Sequence, residues 1–223
     1  MTCYLRMHEV AVLVHRDDRS ADDGPTDWDD VLRRWRGARG VDGRDAALAA
    51  MPIDLVEVDD LPSADLDAHA GLILSGRADQ VLLAGMADRI AALLARGGTV
   101  VFSGQITHDW LPGAGPYERT EPVPAGPPAL ADHPVFAGVD PEELEGSFLY
   151  PGGRHHPPTG AEVIARRTDG SPGAYVDHST TAGTVLLHSG ANLLAYGTST
   201  GTRARIVPQL IAWVAGAHLG VTW

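Results

Sequence analysis

Residues 99–108 read TVVFSGQITH. An apolar run stops at Ser103-Gly104-Gln105 and breaks into polar residues. In a chain of alternating strands and helices, a nucleophile would sit at the end of such a run. A serine hydroxyl is weak at neutral pH and needs a base at hydrogen-bond distance. Two histidines could supply it. His188 ends the run TVLLH at 184–188, and His108 lies just beyond Ser103. The competing reading makes Ser103 a small residue that lets a strand turn tightly beside Gly104. The full hydrolase elbow, G-x-S-x-G, is absent, because Val101 and Gln105 stand at the glycine positions. His188 also has two readings, as a working base or as a histidine satisfied by backbone.

Other residues invite chemistry less strongly. His155-His156 has the look of a metal pair, but adjacent residues of an extended chain point apart, and no carboxylate pair accompanies them. Asp17, Asp18, Asp22 and Asp23 lack the ordered spacing and terminal Glu of a calcium loop, so they read as a solvated acidic stretch. No metal site is expected. Arg77 follows Gly76 at the start of a helix, where it could help hold an anion. A plain helix start capped near Asp79 is the alternative. Cys3 is the one cysteine, which rules out an intrachain disulfide or a thiolate cluster. Trp110, Tyr117, Phe148 and Tyr150 either line a small-molecule site or pin a long insert to the body.

Composition sets the frame for these residues. The 223 residues are 44% apolar and 21% charged, enough for a core without disulfide or metal staples. A net charge of -12 argues against nucleic acid and against an anionic membrane surface, because phosphates need a basic face. No segment reaches the roughly 18 apolar residues of a membrane span, and the start lacks the apolar run of a signal peptide. The expected protein is cytoplasmic, and no cofactor is implied.

The elements that must position the candidates follow from periodicity. Strands are expected at 8–15, 53–58, 70–74 and 99–102, with near-continuous apolar runs that suit parallel strands buried on both faces. Helices are expected at 28–36, 45–51 and 79–96, the last ended by Gly97-Gly98. Residues 61–67 read as a connector, 113–128 as a long Pro- and Gly-rich loop and 132–144 as a short helical or turn element. Three later strands, 161–167, 173–178 and 184–188, have short turns that suggest antiparallel pairing at the sheet margin. A closing helix covers 202–217, with Pro208 in its first turn or at a kink. This is an α/β pattern: a doubly wound, mostly parallel sheet with antiparallel strands at the margin, in one domain over 1–223 with an insert at about 106–160.

In such a sheet, ligands bind outside the carboxyl ends of the strands. Those ends carry Ser75-Gly76-Arg77, Ser103-Gly104-Gln105 with His108, and His188-Ser189-Gly190. The three segments AGLILSG at 70–76, GTVVFSGQ at 98–105 and GTVLLHSG at 183–190, taken in chain order, resemble the class I glutamine amidotransferase-like superfamily, which includes ThuA-like proteins. The resemblance implies a flavodoxin-like fold. It also implies a cysteine in a G-x-C-x-G elbow, activated by the histidine of a late H-P-E motif whose glutamate orients it. This chain departs from that set. Ser103 or Gly104 occupies the nucleophile region, and His188 stands near the expected histidine, but Ser189-Gly190 replaces Pro-Glu.

The reading is therefore a non-canonical amidotransferase-like protein without glutaminase activity. It would bind a small polar, sugar-like ligand through Arg77, Ser103, Gly104, Gln105, His108 and His188. One alternative is a hydrolase with Ser103 as nucleophile and His188 as base. Another is a catalytically silent subunit that forms a homo-oligomer or docks on a partner enzyme.

Overall fold

The computed structural model describes residues 12–15, 19–20, 24–25, 53–56, 58–144, 146 and 148–218. The helices expected at 28–36 and 45–51, Cys3 and the acidic stretch at Asp17, Asp18, Asp22 and Asp23 lie outside them.

Twelve strands are described. They are β1 (Val12–His15), β2 (Arg19–Ser20), β3 (Gly24–Pro25), β4 (Leu55–Val56), β5 (Gly71–Ser75), β6 (Thr99–Ser103), β7 (Tyr117–Arg119), β8 (Ala129–Leu130), β9 (Gly153–His155), β10 (Glu162–Arg166), β11 (Pro172–Asp177) and β12 (Thr184–His188). Eight of them form one sheet in the order β4-β1-β5-β6-β12-β11-β10-β8. The first five run parallel to their neighbours, and the last three add antiparallel pairs. The parallel part, taken in chain order, is the 2-1-3-4-5 arrangement of flavodoxin-like folds. The expected fold class is the observed one.

Burial explains the continuous apolar runs. Every residue of β5, β6 and β12 is buried. Alternate side chains leave opposite faces of a strand. Ile73, Val101 and Leu186 face one core, which they share with Leu210, Ile211 and Val214. Leu72, Leu74, Val100, Phe102, Val185 and Leu187 face the other, shared with Leu83, Ile90, Leu93 and Leu94. Gly71 has no side chain because a Cβ there would meet Thr99 O at 2.8 Å and the Val214 side chain. Its absence lets the closing helix lie directly on β5.

The helices correct several expectations. The segment 79–96 is two helices, α1 (Gln80–Gly85) and α2 (Ala87–Ala95). Asp79 caps α1, accepting from the N–H groups of Val81 (2.9 Å) and Leu82 (3.2 Å). At Met86 the backbone leaves the helical range, with φ -107° and ψ 5°, so Gly85-Met86 breaks the axis. The strand expected at 53–58 shrinks to β4, and the chain passes into a 3₁₀ turn at Val58–Ser63. The expected connector at 61–67 contributes to two such turns. The closing helix opens with a 3₁₀ turn, Thr202–Arg205, and continues as α3 (Ile206–His218), with Pro208 in its first turn.

The late strands also differ from expectation. β10 and β11 are antiparallel, but β12 lies inside the sheet, parallel to β6. Short turns report only the pairing between consecutive strands, and β12 has a second neighbour far back in sequence. The loop expected at 113–128 contains β7, which pairs antiparallel with β9. The segment 106–160 also places β8 at the edge of the main sheet, against β10.

Candidate functional site at the strand carboxyl edge

Register brings three candidates side by side. Ser75 is the Cα partner of Ser103, which is the partner of His188. All three lie at the ends of parallel strands and are at most 2% exposed. Each is followed by a tight backbone approach. Gly104 has φ +146°, and a Cβ there would stand 2.5 Å from Gly76 Cα. Gly104 N–H donates to His188 O at 2.9 Å, tying β6 to β12. Gly190 lets the backbone of Phe148 pass directly over the end of β12.

Ser103 keeps ordinary strand geometry. Its Oγ accepts from Leu193 N–H at 3.3 Å, and no histidine is hydrogen-bonded to it among the described residues. A nucleophile elbow places its serine on a strained strand-to-helix turn. Here the positive φ falls on Gly104, and β6 runs into irregular chain rather than a helix. His108 is exposed, its Nδ1 3.0 Å from Thr107 Oγ1. His188 is fully buried against the Phe148 ring, with centroids 4.8 Å apart. No hydrogen bond of good geometry reaches either of its ring nitrogens among the described residues. Burial pushes its imidazole down to about 3, and the nearby backbone of Phe148 and Ala191 offsets only part of that.

Other candidate residues lie nearer the surface. Arg77 is exposed and close enough to lower the Tyr150 phenol, which burial raises by more. Tyr117 and Tyr150 meet edge to face at 6.4 Å, and burial raises Tyr117 as well. Gln105 presents an exposed side chain, and its carbonyl accepts from Gln80 Nε2 at 2.6 Å. Trp110 and Phe148 are core residues that pin 106–160 to the body, each 1% exposed. Tyr117 and Tyr150 are half-buried.

Three residues that hold this edge together carried no periodic signal in the sequence. Gln80 clasps the chain after β6: its Oε1 also accepts from Thr107 N–H (2.8 Å) and Trp110 Nε1 (3.3 Å). Arg167, 4% exposed, donates to the carbonyls of Pro151 (3.0 Å) and Gly153 (3.3 Å) and fixes the turn beneath Tyr150. His155 points inward to Ser189 and Ile106, while His156 points out to Glu118 Oε2 at 2.6 Å. The two histidines point apart, as an extended strand requires. Among the described residues no group of three or more His, Cys, Asp or Glu is placed to hold a metal ion. No helix among them is long and apolar enough to cross a membrane.

A cleft of about 270 Å³ lies between Pro122–Pro128 and Leu144, Phe148, Leu149 and Arg167. Its lining is mostly apolar, with Arg167 and Thr168 as polar members, and the Arg167 nitrogens are engaged by Ser171, Thr120, backbone carbonyls and Asp169.

No protein-family model matches the sequence, and no curated protein matches it. Solved structures do match in shape. A glutamine amidotransferase from Thermotoga maritima superposes with a TM-score of 0.52 at 12% identity, covering 95% of this chain and 97% of that one. A cytoplasmic protein from Salmonella typhimurium LT2 gives 0.54 at 11% identity, covering 83% and 86%. An exo-β-1,4-mannosidase from Opitutaceae bacterium strain TAV5 gives 0.44 at 16% identity, and the match spans 83% of this chain but only 32% of that enzyme. The chain has a glutamine amidotransferase-like, flavodoxin-like fold.

Proposed function

We propose that this chain is an amidotransferase-like protein without glutaminase activity that binds a small polar, sugar-like ligand at the carboxyl edge of β5, β6 and β12. The observation that carries this reading is the state of the nucleophile position. The end of β6 carries Ser103 where the family resemblance implies a cysteine, and the one cysteine of the sequence, Cys3, precedes β1. Ser103 accepts from a backbone N–H in a regular strand, and among the described residues no imidazole is hydrogen-bonded to it to take its proton. Nucleophile activation needs that contact.

The same edge offers recognition chemistry. Tyr117 and Tyr150 supply aromatic faces with polar tips, and Gln105 and Arg77 supply hydrogen-bond donors. An aromatic wall with a few fixed polar groups suits a polyhydroxylated ring. The ThuA-like resemblance points to the same ligand class. Gly104 would bring backbone close to the ligand, and His108 would stand at the rim. Residues 106–160, as an insert in a single cytoplasmic domain, would form the cover.

A thermal-shift screen of monosaccharides, amino sugars and sugar acids at pH 7.5 tests the reading. A concentration-dependent rise in Tm is expected, lost in Tyr150→Ala and Arg77→Ala. Glutamine should release no ammonia. Ester hydrolysis or fluorophosphonate labelling that disappears in Ser103→Ala would replace this reading with the serine hydrolase.

A further inference from the structure

His155 is 1% exposed. Its Nε2 accepts from Ile106 N–H at 3.0 Å. A ring nitrogen that accepts carries no proton, so the neutral imidazole holds its proton on Nδ1 and donates to Ser189 Oγ at 2.9 Å. One ring thus joins β9, the chain just after β6 and the residue just after β12. Two more bonds end on Ser189: His155 N–H reaches its Oγ at 3.1 Å, and Tyr150 N–H reaches its carbonyl at 2.9 Å. Segment 148–156 is fastened over the strand edge at Ser189 and Ile106.

We infer that His155 is a proton-operated latch, closed while its ring is neutral and released when the ring takes a second proton. The inference concerns regulation of the crevice and rests on the reading that a ligand binds there. The second proton has one place to go, Nε2. It would aim an N–H at the N–H of Ile106, and that bond cannot survive. The charged ring must then turn toward water or carry its segment with it, because a buried unpaired charge is costly.

The groups around the ring do not rescue the charged form. Tyr117 of β7 lies edge-on at 5.2 Å. On β9 and beside it, Arg154 and His156 are engaged with Glu118 at 3.5 and 2.6 Å, which leaves that carboxylate on the outer side. Arg167, beyond Tyr117, and Arg77, beyond Tyr150, are cations. His188 is packed against Phe148, and His108 and Asp109 are exposed on the chain after β6. Burial is the cause that pushes the His155 imidazole down to about 4. A released histidine titrates near 6.5. The closed form is therefore fully favoured above about pH 6.5 and loses ground as pH falls to about 4, where the effect levels off. Across that window the open population rises about tenfold per pH unit.

Amide hydrogen exchange on the full chain from pH 7 to 4.5, corrected for intrinsic rates, tests the latch. Protection at Ile106 and Tyr150 should fall about tenfold per pH unit below 6.5, while Val101 and Leu186 in the central strands keep theirs. Ring ¹⁵N spectra should show Nε2 of His155 unprotonated at pH 7. In His155→Gln the side-chain oxygen can still accept from Ile106 but does not titrate, so protection there should be flat with pH. If that variant fails to fold, the wild-type exchange and ring spectra decide alone. Flat protection in the wild type, equal loosening in His155→Gln, or a proton on Nε2 at pH 7 would each overturn the latch. No ligand enters this measurement. Its failure leaves the crevice reading standing, and a failed ligand screen at pH 7.5 leaves the latch standing.

Discussion

His188 is the residue whose cost is plainest. It is fully buried, neither ring nitrogen has a well-formed hydrogen bond among the described residues, and an apolar ring lies against it. An unpaired buried polar group costs roughly 1–3 kcal/mol. Replacing it with an apolar side chain of similar volume should recover part of that. His188→Leu is expected to raise the unfolding free energy at pH 7 by about 1–2 kcal/mol, read from urea melts. A loss of about 2 kcal/mol or more would mean that the imidazole makes bonds that matter to the fold. If the variant is more stable but no longer binds the ligand found by thermal shift, the cost is the trade of a binding residue. Ser103 differs: its oxygen is already used by Leu193 N–H, so its place is accounted for by the fold.

At the scale of elements, the closing helix depends on a distant carboxylate. Glu143 Oε2 accepts from the N–H groups of Thr202 (2.7 Å) and Arg203 (3.2 Å) at the start of the 3₁₀ turn that leads into α3. These are donors that a helix start leaves unsatisfied. The Arg203 N–H bond is the largest cause holding the Glu143 carboxyl below its ordinary value of 4.5. A carboxyl lowered in the folded state contributes stability that is present above its unfolded value and lost as pH falls through the folded one. Glu143→Gln should lower Tm by a few degrees at pH 7, and the gap should close as acid protonates the Glu143 carboxyl. A gap that persists in acid would mean that Glu143 acts by packing rather than by charge. Nothing local in the sequence marks this cap, because Glu143 and Thr202 are 59 residues apart.

For the whole molecule, acid should be the main threat. Burial holds His133 at about 4, His155 at about 4 and His188 at about 3. Each is neutral in the fold and charged when unfolded below about pH 6.5. Folded values that are depressed give stability above 6.5 that is lost as pH falls toward 4 and then 3. The chain also carries a net charge of -12 at pH 7, and acid relieves that repulsion. Surface charges are screened within roughly 8 Å at physiological salt, whereas the buried rings are not. The histidines should therefore win. The unfolding free energy should fall from pH 6.5 to 4, with a slope near pH 5 equal to about three protons taken up on unfolding. Urea melts across that range measure the slope, and a flat profile would mean that these rings are solvated in the folded protein.

The continuous apolar runs at 70–74, 99–102 and 184–188 determined much by themselves. A run with no polar alternation has no face to give to water, so it must become a strand covered on both sides. Strand-helix alternation then makes the sheet parallel and stacks the strand ends at one edge. That is why the sequence puts Ser75, Ser103 and His188 at one edge, and the register sets them side by side. Glycines after the runs marked where backbones approach, as Gly76 and Gly104 do.

The tertiary structure decided the rest. Whether Ser103 meets a histidine depends on a few ångströms and on which N–H reaches it first. That β12 lies parallel to β6 depends on a neighbour 85 residues earlier, Thr99 for Thr184. The Gln80 clasp, the Arg167 tether and the His155 bonds join polar groups across 14 to 49 residues. Burial repeats with the period of a helix or strand and can be read locally. A single hydrogen bond between distant loops has no period, and only the folded chain shows it.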